Sequence, residues 1–245
     1  MNIAIVGATG NVGRKTLEVL EKKGLTLGNL YLVASSKSAG KKIHFQGKDI
    51  VVSELENFDF SKVKIAFFAA GGKISEKFAE KAAKHCLVID NSSFFRMDPD
   101  VPLIVPQVNS DALNNIKKNI IANPNCSTAQ LVIALKPLHD LFVIKRIVVS
   151  TYQSVSGAGK ASMDELIKQT KLALDGKDIK SENFTKPIAF NAIPHIDVFS
   201  EDGYTKEELK MRNETKKILD DKIDLTATCV RLPICLLYTS PSPRD

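Results

Sequence analysis

The sequence lacks any apolar run that approaches the roughly 18 residues needed to span a bilayer. Residues 63–70 are typical of its longest apolar runs, and Lys64 interrupts them. The N-terminus reads as a strand entering a turn, without the basic region and cleavage site of a secretory signal. We therefore expect neither membrane insertion nor secretion.

Cysteine is scarce and tryptophan is absent. The cysteines are too few and too irregularly spaced for a disulfide framework or a zinc ribbon, and they lie at Cys86, Cys126, Cys229 and Cys235. We expect no metal site, and a location in the reducing cytoplasm.

The charge excess is mild, with 34 Lys+Arg against 28 Asp+Glu and a formal net charge of +6. Basic residues alternate with acidic ones, as in Glu76-Lys77 and Glu80-Lys81, and form no basic stripe. This pattern argues against nucleic acid as a partner and favours a small anionic ligand. A hydrophobic content of 44% is ordinary for a globular protein.

Short β-branched or aromatic runs alternate with helical patterns through the first 125 residues, which predicts βαβ units and a parallel sheet. Helices are predicted at 12–23 and 74–84, and strands at 2–6, 30–34, 50–52, 64–69, 87–90 and 120–122. After Lys145 the pattern changes to a strand at 146–152, a helix at 162–174 and a strand at 227–234. Thr205 and Glu208 form a capping box before a further helix. Two domains are predicted, with a boundary near 123–145.

The last ten residues, 236–245, read LLYTSPSPRD and fit neither helical nor strand periodicity. We interpret 235–245 as a non-native tail, and an ordinary mobile C-terminus fits the composition equally well.

A glycine string lies between the first predicted strand and the first predicted helix. Glycines there allow a tight turn and let backbone N–H groups approach a pyrophosphate at the helix N-terminus. We predict a dinucleotide-binding loop at Gly7, Thr9, Gly10, Asn11, Val12 and Gly13. A purely structural turn is the alternative.

The second strand carries no acidic residue at its end, where one would bind the ribose 2′-hydroxyl of NAD. Ser36, Lys37 and Ser38 follow instead and offer hydroxyls and an ammonium to a 2′-phosphate. The sequence therefore favours NADP, with a simple polar loop as the alternative.

Cys126 follows a strand and the turn residue Pro124, and an apolar helical pattern begins directly after it. A thiol at a helix N-terminus is favoured as thiolate, which is the nucleophilic form. Cys86 and Cys229 lie in or beside apolar runs and are expected to be ordinary buried cysteines.

The chain carries nine motifs that together cover residues 1 to about 234, and they lie at 7–13, 36–40, 90–96, 105–109, 123–128, 152–159, 191–197, 207–210 and 228–233. In composition and in their order along the chain, these motifs resemble those of aspartate-semialdehyde dehydrogenases. The resemblance implies a Rossmann-type parallel-sheet NADP-binding domain at 1–125. It also implies an α+β catalytic and dimerisation domain at 126–234, incomplete at its C-terminus, and a homo-oligomeric full-length enzyme.

The resemblance implies NADPH-dependent reduction of L-aspartyl 4-phosphate to aspartate 4-semialdehyde, in the pathway to lysine, threonine and methionine. Cys126 would form a thioester and Gln153 would orient it. Arg96, Asn125 and Lys210 would hold the phosphate. The remaining implied contacts are Arg231 to the α-carboxylate, Glu207 to the α-ammonium, and Ser156 and Gly157 to the cofactor.

Two alternatives remain open. Arg96 could be a structural ion-pair partner, and the helical stripe of Glu207, Lys210 and Glu214 could be a solvated face. In the family a histidine acting as general acid/base stands seven residues after the arginine that matches Arg231, where this chain has Tyr238. Because that histidine is missing, an inactive nucleotide-binding fragment is one rival function. The other is the related acyl-phosphate reductase that acts on N-acetylglutamyl phosphate, against which Glu207 and Lys210 argue, since they favour a free amino group.

Overall fold

The structure is a computed structural model that describes residues 1–235. The segment predicted to be a foreign tail lies outside the described residues, apart from Cys235. The chain divides into two compact units. The first comprises Met1–Val143 and Asn213–Asp221, and the second comprises Ile144–Arg212 and the residues from Lys222 onward.

The first unit contains a seven-stranded sheet in the order β3-β4-β2-β1-β5-β6-β7. All neighbouring strands are parallel except β3 and β4, which form an antiparallel hairpin. The strands are β1 (Ile3–Val6), β2 (Leu30–Ala34), β3 (Lys42–Phe45), β4 (Lys48–Glu54), β5 (Ile65–Phe68), β6 (Leu87–Asp90) and β7 (Ile120–Ala122). The predicted parallel α/β fold is confirmed.

Helices cover both faces of this sheet, as a strand such as β1, buried on both sides, requires. Alternate residues of β1 point to opposite faces, so Ile5 packs with Leu17 and Leu20, whereas Ala4 packs in the cluster that contains Phe78. The helices of this unit are α1 (Asn11–Lys22), α2 (Gly72–Ala83), α3 (Pro106–Asn109) and α4 (Cys126–Phe142).

The structure divides the chain later than the predicted boundary after residue 125. Helix α4 belongs to the first unit because its buried Val132 packs in the same apolar cluster as Ile120 and Ala122 of β7. Ile218, from the returning segment, joins that cluster. The first unit therefore ends at Val143, inside the predicted boundary region of 123–145 and later than the end at 125 that the resemblance implies.

The second unit contains a two-stranded parallel sheet of β8 (Arg146–Gln153) and β9 (Asp224–Arg231). The predicted second strand ran to residue 234, but β9 ends at Arg231, two residues before Pro233, which has no N–H to donate. Helix α5 spans Lys160–Leu174.

Helix α6 (Lys206–Ile218) begins in the second unit, and its residues from Asn213 onward belong to the first. The capping box is confirmed: the Thr205 N–H donates to Glu208 Oε2 at 2.7 Å, and the Glu208 N–H donates to Thr205 Oγ1 at 3.3 Å. Within residues 1–235, no helix is long and apolar enough to cross a membrane.

Candidate active site

The glycine loop joins β1 to α1 at the carboxyl edge of the parallel sheet. Gly7 has a positive φ of 87°, which suits glycine, and its N–H donates to Val33 O at 2.8 Å. A Cβ on Gly13 would collide with the Gly7 carbonyl oxygen, so the helix packs directly on the loop. These contacts explain why glycine is needed at both positions.

A cleft of about 440 Å³ opens at this loop. Its walls include four predicted cofactor residues, Gly7, Thr9, Gly10 and Ser36. Asn11, Val12, Gly13, Lys37 and Ser38 are not among its lining residues, although Thr9 Oγ1 donates to Ser38 Oγ at 3.4 Å.

The residues after β2 form a short 3₁₀ turn at Ser36–Ser38, and Lys37 on it is exposed.

The sequence analysis did not identify two acidic residues in the cleft wall, Glu54 and Glu56. Glu54 stands opposite Ala34 in the register of β4 and β2, and Glu56 pairs with Lys77 at 2.6 Å. The period-2 pattern of Ile43 and Phe45, both buried, could have revealed the preceding hairpin.

Cys126 is the first residue of α4 and is exposed. Asn125 is the N-cap: its Oδ1 accepts the Ser127 N–H at 3.0 Å and the Ser127 hydroxyl at 2.8 Å. Cys126 Sγ lies 3.5 Å from the same oxygen. The thiol is therefore at a capped helix N-terminus, which is the geometry that the sequence predicted.

Two other cysteines have a different environment. Burial raises the pKa of the Cys86 thiol to about 11, and burial is also the main cause that raises the pKa of Cys229. Both thiols are therefore poorer nucleophiles near neutral pH.

Arg96 is buried in the first unit and makes three kinds of contact. Its guanidinium donates to the carbonyl of Asn123 at 2.9 Å, to that of Asn91 at 3.2 Å and to Glu214 Oε1 at 3.0 Å. Arg96 therefore forms an ion pair with Glu214, which was the structural alternative to its predicted phosphate role. The ion pair and the two carbonyl contacts together use three of its five N–H groups.

In the second unit, two predicted residues, Gln153 and Lys210, contact a third, Glu207. Gln153 Nε2 donates to Glu207 Oε1 at 3.2 Å, and Lys210 Nζ donates to Glu207 Oε2 at 3.2 Å. Thr151 Oγ1 donates to Gln153 Oε1 at 2.7 Å, which fixes the amide. The predicted stripe therefore does bring Glu207 and Lys210 together.

Asp197 is a charged residue of this cluster that sequence reasoning did not single out. Its carboxylate lies 3.0 Å from Lys210 Nζ, and its own φ is positive at 70°. Burial favours a lower pKa for Lys210, but the Asp197 and Glu207 carboxylates outweigh it and raise that pKa. Burial alone would raise the pKa of Asp197, but the hydrogen bond from Lys210 acts in the opposite direction, and the pKa is lowered.

Arg231 is buried at the end of β9, and its Nη1 donates to the Ser154 carbonyl at 2.5 Å. A Cβ on Gly157 would lie 3.1 Å from that Nη1, so glycine keeps room beside the guanidinium. Ser156 shares a hydroxyl contact of 2.8 Å with Ser154. A second cleft of about 440 Å³ is lined by residues that include Gly157, His195, Asp197, Glu207, Lys210 and Arg231.

His195 faces this cleft with its Nε2 3.0 Å from Thr185 Oγ1. Tyr238, at the position where the resemblance places a histidine, lies outside the described residues. Among residues 1–235, no group of three His, Cys, Asp or Glu side chains could hold a metal ion.

Comparisons with known proteins bear on both units. The family model of the semialdehyde dehydrogenase NAD binding domain matches residues 2–116, and that of the semialdehyde dehydrogenase dimerisation domain matches residues 135–236. An aspartate-semialdehyde dehydrogenase of Aquifex aeolicus is 54% identical over 237 residues, which cover 95% of this chain and 70% of that protein.

Solved structures agree with these matches. Aspartate semialdehyde dehydrogenase II of Vibrio cholerae, complexed with ASA, has a TM-score of 0.93 at 52% identity and covers 95% of this chain and 70% of that one. The Candida albicans enzyme with NADP has a TM-score of 0.66 at 26% identity, covering 99% and 73%. With its ordered motifs, its fold and these identities, the chain belongs to the aspartate-semialdehyde dehydrogenase family.

Proposed function

We propose that this chain reduces L-aspartyl 4-phosphate to aspartate 4-semialdehyde through a thioester on Cys126. The family acts in amino-acid biosynthesis. The observation that carries the proposal for this chain is the exposed thiol on the first turn of α4, capped by Asn125. A helix N-terminus favours the thiolate that such a reaction needs.

The thiolate of Cys126 attacks the acyl carbon, and the bond from that carbon to the phosphate oxygen breaks. The leaving phosphate takes the electron pair, and a thioester remains on sulfur. Arg96 and Asn125 in the first unit are proposed to bind the phosphate oxygens. Within residues 1–235, hydrogen bonds engage three of the five N–H groups of Arg96, and the other two suit an anion.

The second unit is proposed to recognise the amino-acid part of the substrate. Arg231 suits a bidentate contact with the α-carboxylate, and its buried position strengthens that contact. Glu207 suits the α-ammonium. Gln153, held by Thr151 and Glu207, is proposed to orient the thioester.

The first unit is proposed to bind NADP. The cleft at Gly7 and Gly10 lies at the N-terminus of α1, where backbone N–H groups and the helix dipole suit a pyrophosphate. Ser36, Lys37 and Ser38 are proposed to bind the 2′-phosphate, and the remaining proposed contacts in this unit are Thr9, Asn11, Val12 and Gly13. The Candida albicans relative with NADP supports this choice. When bound, NADPH supplies the hydride that reduces the thioester.

A homo-oligomer in a reducing cytoplasm is part of the same proposal. The matching family model is that of a dimerisation domain, and β8 exposes Val148 and Tyr152 at 70% and 63% on one face. All four cysteines are free, which fits a reducing compartment.

The substrate can be tested in the reverse direction, with phosphate and NADP⁺. We expect reduction of NADP⁺ with aspartate 4-semialdehyde and little with N-acetylglutamate 5-semialdehyde. The reason is that the Glu207 carboxylate attracts a free ammonium but gains no ion pair with an acetylated nitrogen. Nicotinamide absorbance measures both rates. Faster turnover of the acetylated aldehyde would overturn the proposed substrate, and NADPH binding without any turnover would favour the inactive fragment.

Lys37 tests the cofactor. Lys37→Ala is expected to weaken the preference for NADPH over NADH by about 1–3 kcal/mol, because a charge-assisted contact to the 2′-phosphate is lost. Fluorescence titration with both cofactors measures the preference. Lys41→Ala is the matched control, since it removes an exposed lysine from the same region beyond the 3₁₀ turn. Equal affinity of the unmutated chain for the two cofactors would contradict the assignment.

A further inference from the structure

Glu214 has a position that its sequence pattern did not predict. The helical stripe suggested a polar face shared with Glu207 and Lys210, yet Glu214 belongs to the first unit and is only 2% exposed. Its Oε1 accepts from Arg96 Nη1 at 3.0 Å, and its Oε2 accepts from the Asn125 N–H at 2.7 Å. One carboxylate thus joins two residues of the proposed phosphate site.

The Asn125 N–H belongs to the residue directly before Cys126. Asn125 also caps α4, so a bond that fixes its backbone fixes the first turn of the helix that carries the thiol. Arg96, the second partner, donates to the carbonyl of Asn123 as well. Glu214 and Arg96 therefore hold 123–125 from two sides.

The same segment of the chain also fixes the loop that carries Arg96. Lys217, three residues after Glu214, donates from Nζ to the carbonyls of Arg96, Asp98 and Val101 at 2.7–2.9 Å. The backbone of Arg96 is therefore restrained by Lys217, while its guanidinium is restrained by Glu214.

We propose that Glu214 is a positioning residue for the reaction, one that sets both the N-cap of the Cys126 helix and the direction of the Arg96 guanidinium. The inference rests on the proposed function, in which Cys126 is the nucleophile and Arg96 binds phosphate. Glu214 itself touches neither sulfur nor substrate in this role.

An aspartate at position 214 distinguishes the effect of side-chain length from the effect of charge. Glu214→Asp keeps a carboxylate but withdraws it by one carbon–carbon bond, about 1.5 Å, so both hydrogen bonds are lost while the charge remains. Glutamine is less informative, because it removes the charge and one of the two acceptors together.

The chain contains a matched control on the same helix. Glu208 is also buried, and its two oxygens likewise accept two donors, the N–H groups of Thr205 and Cys229. Glu208→Asp makes the same chemical change in the second unit and leaves both Glu214 hydrogen bonds in place.

The measurement is the rate at which iodoacetamide alkylates Cys126, followed by peptide mapping, with and without inorganic phosphate. In the unmutated chain we expect fast alkylation that phosphate slows. In Glu214→Asp we expect alkylation at least about tenfold slower and phosphate protection weakened by a similar factor, since displacement by about 1 Å can cost that much. Glu208→Asp should match the unmutated chain in both, at equal folded fraction.

The outcomes separate the two claims. Slow alkylation of Cys126 in the unmutated chain contradicts the proposed function. Fast, phosphate-protected alkylation in both the unmutated chain and Glu214→Asp overturns the role of Glu214 alone. If Glu214→Asp does not fold, hydrogen exchange of the unmutated chain decides: the Asn125 amide should exchange slowly, and rapid exchange overturns the inference.

Discussion

Replacing Cys126 with serine is expected to reduce turnover by at least about 10⁴-fold, a loss of the size seen when other enzymes lose their nucleophile. The hydroxyl keeps nearly the shape of the thiol but ionises far less readily, so the helix N-terminus no longer yields a useful anion. Initial rates with aspartate 4-semialdehyde, phosphate and NADP⁺ measure the effect. NADPH titration checks that the first unit still folds.

Cys86→Ser is the matched control, because Cys86 is also a free cysteine of the first unit but is buried with a pKa of about 11. Its hydroxyl can still donate to the Ala82 carbonyl, as the thiol does. Turnover should therefore be unchanged. If the two serine variants are equally active, the thiol of Cys126 has no part in the reaction.

Replacing residues 236–245 with the segment of the Aquifex aeolicus relative that follows its matched region is expected to raise turnover at least about a hundredfold. The physical reason is the general acid/base histidine that the family resemblance implies seven residues after Arg231, where this chain has Tyr238. A positioned acid/base group contributes about 10²–10⁴-fold to a rate. Deleting 236–245 without replacement should leave the residual turnover unchanged.

The same graft with its histidine changed to glutamine separates proton transfer from the effect of the grafted segment itself. That control should stay near the rate of the unmodified chain. If the 245-residue chain already turns over as fast as the graft, another group supplies the proton. His195, which faces the cleft of the second unit, would then be the first candidate.

The sheet of the first unit was predictable because its strands bury both faces and therefore read as continuous apolar runs, as in Ile3–Val6. The edge strand Lys42–Phe45 was missed because only Ile43 and Phe45 are apolar in it. The return of 213–221 to the first unit could not be predicted, since helix periodicity does not say which core a helix end packs against.

In the candidate site, too, residues with a local sequence signal could be predicted, whereas contacts between residues far apart in sequence could not. Cys126 was recognisable because its signal is local: a strand, a proline and a helix start within a few residues. An ion pair of Arg96 was an open alternative, but its partner Glu214 could not be identified, because Glu214 is 118 residues away in sequence. Asp197 was missed for a similar reason, since its partner Lys210 lies beyond a loop with no periodic pattern.

The close packing of Gly13 on the Gly7 carbonyl bears on the conformational entropy that ligand binding would otherwise cost. The β1–α1 loop is ordered within its own unit, because the helix packs on it with no space for a Cβ at Gly13 and the Gly7 and Gly10 N–H groups are hydrogen-bonded. Ordering a flexible loop costs roughly 1–2 kcal/mol of conformational entropy for each residue fixed. In this loop that cost is met during folding, so a pyrophosphate bound at the N-terminus of α1, as proposed, would not have to order the loop.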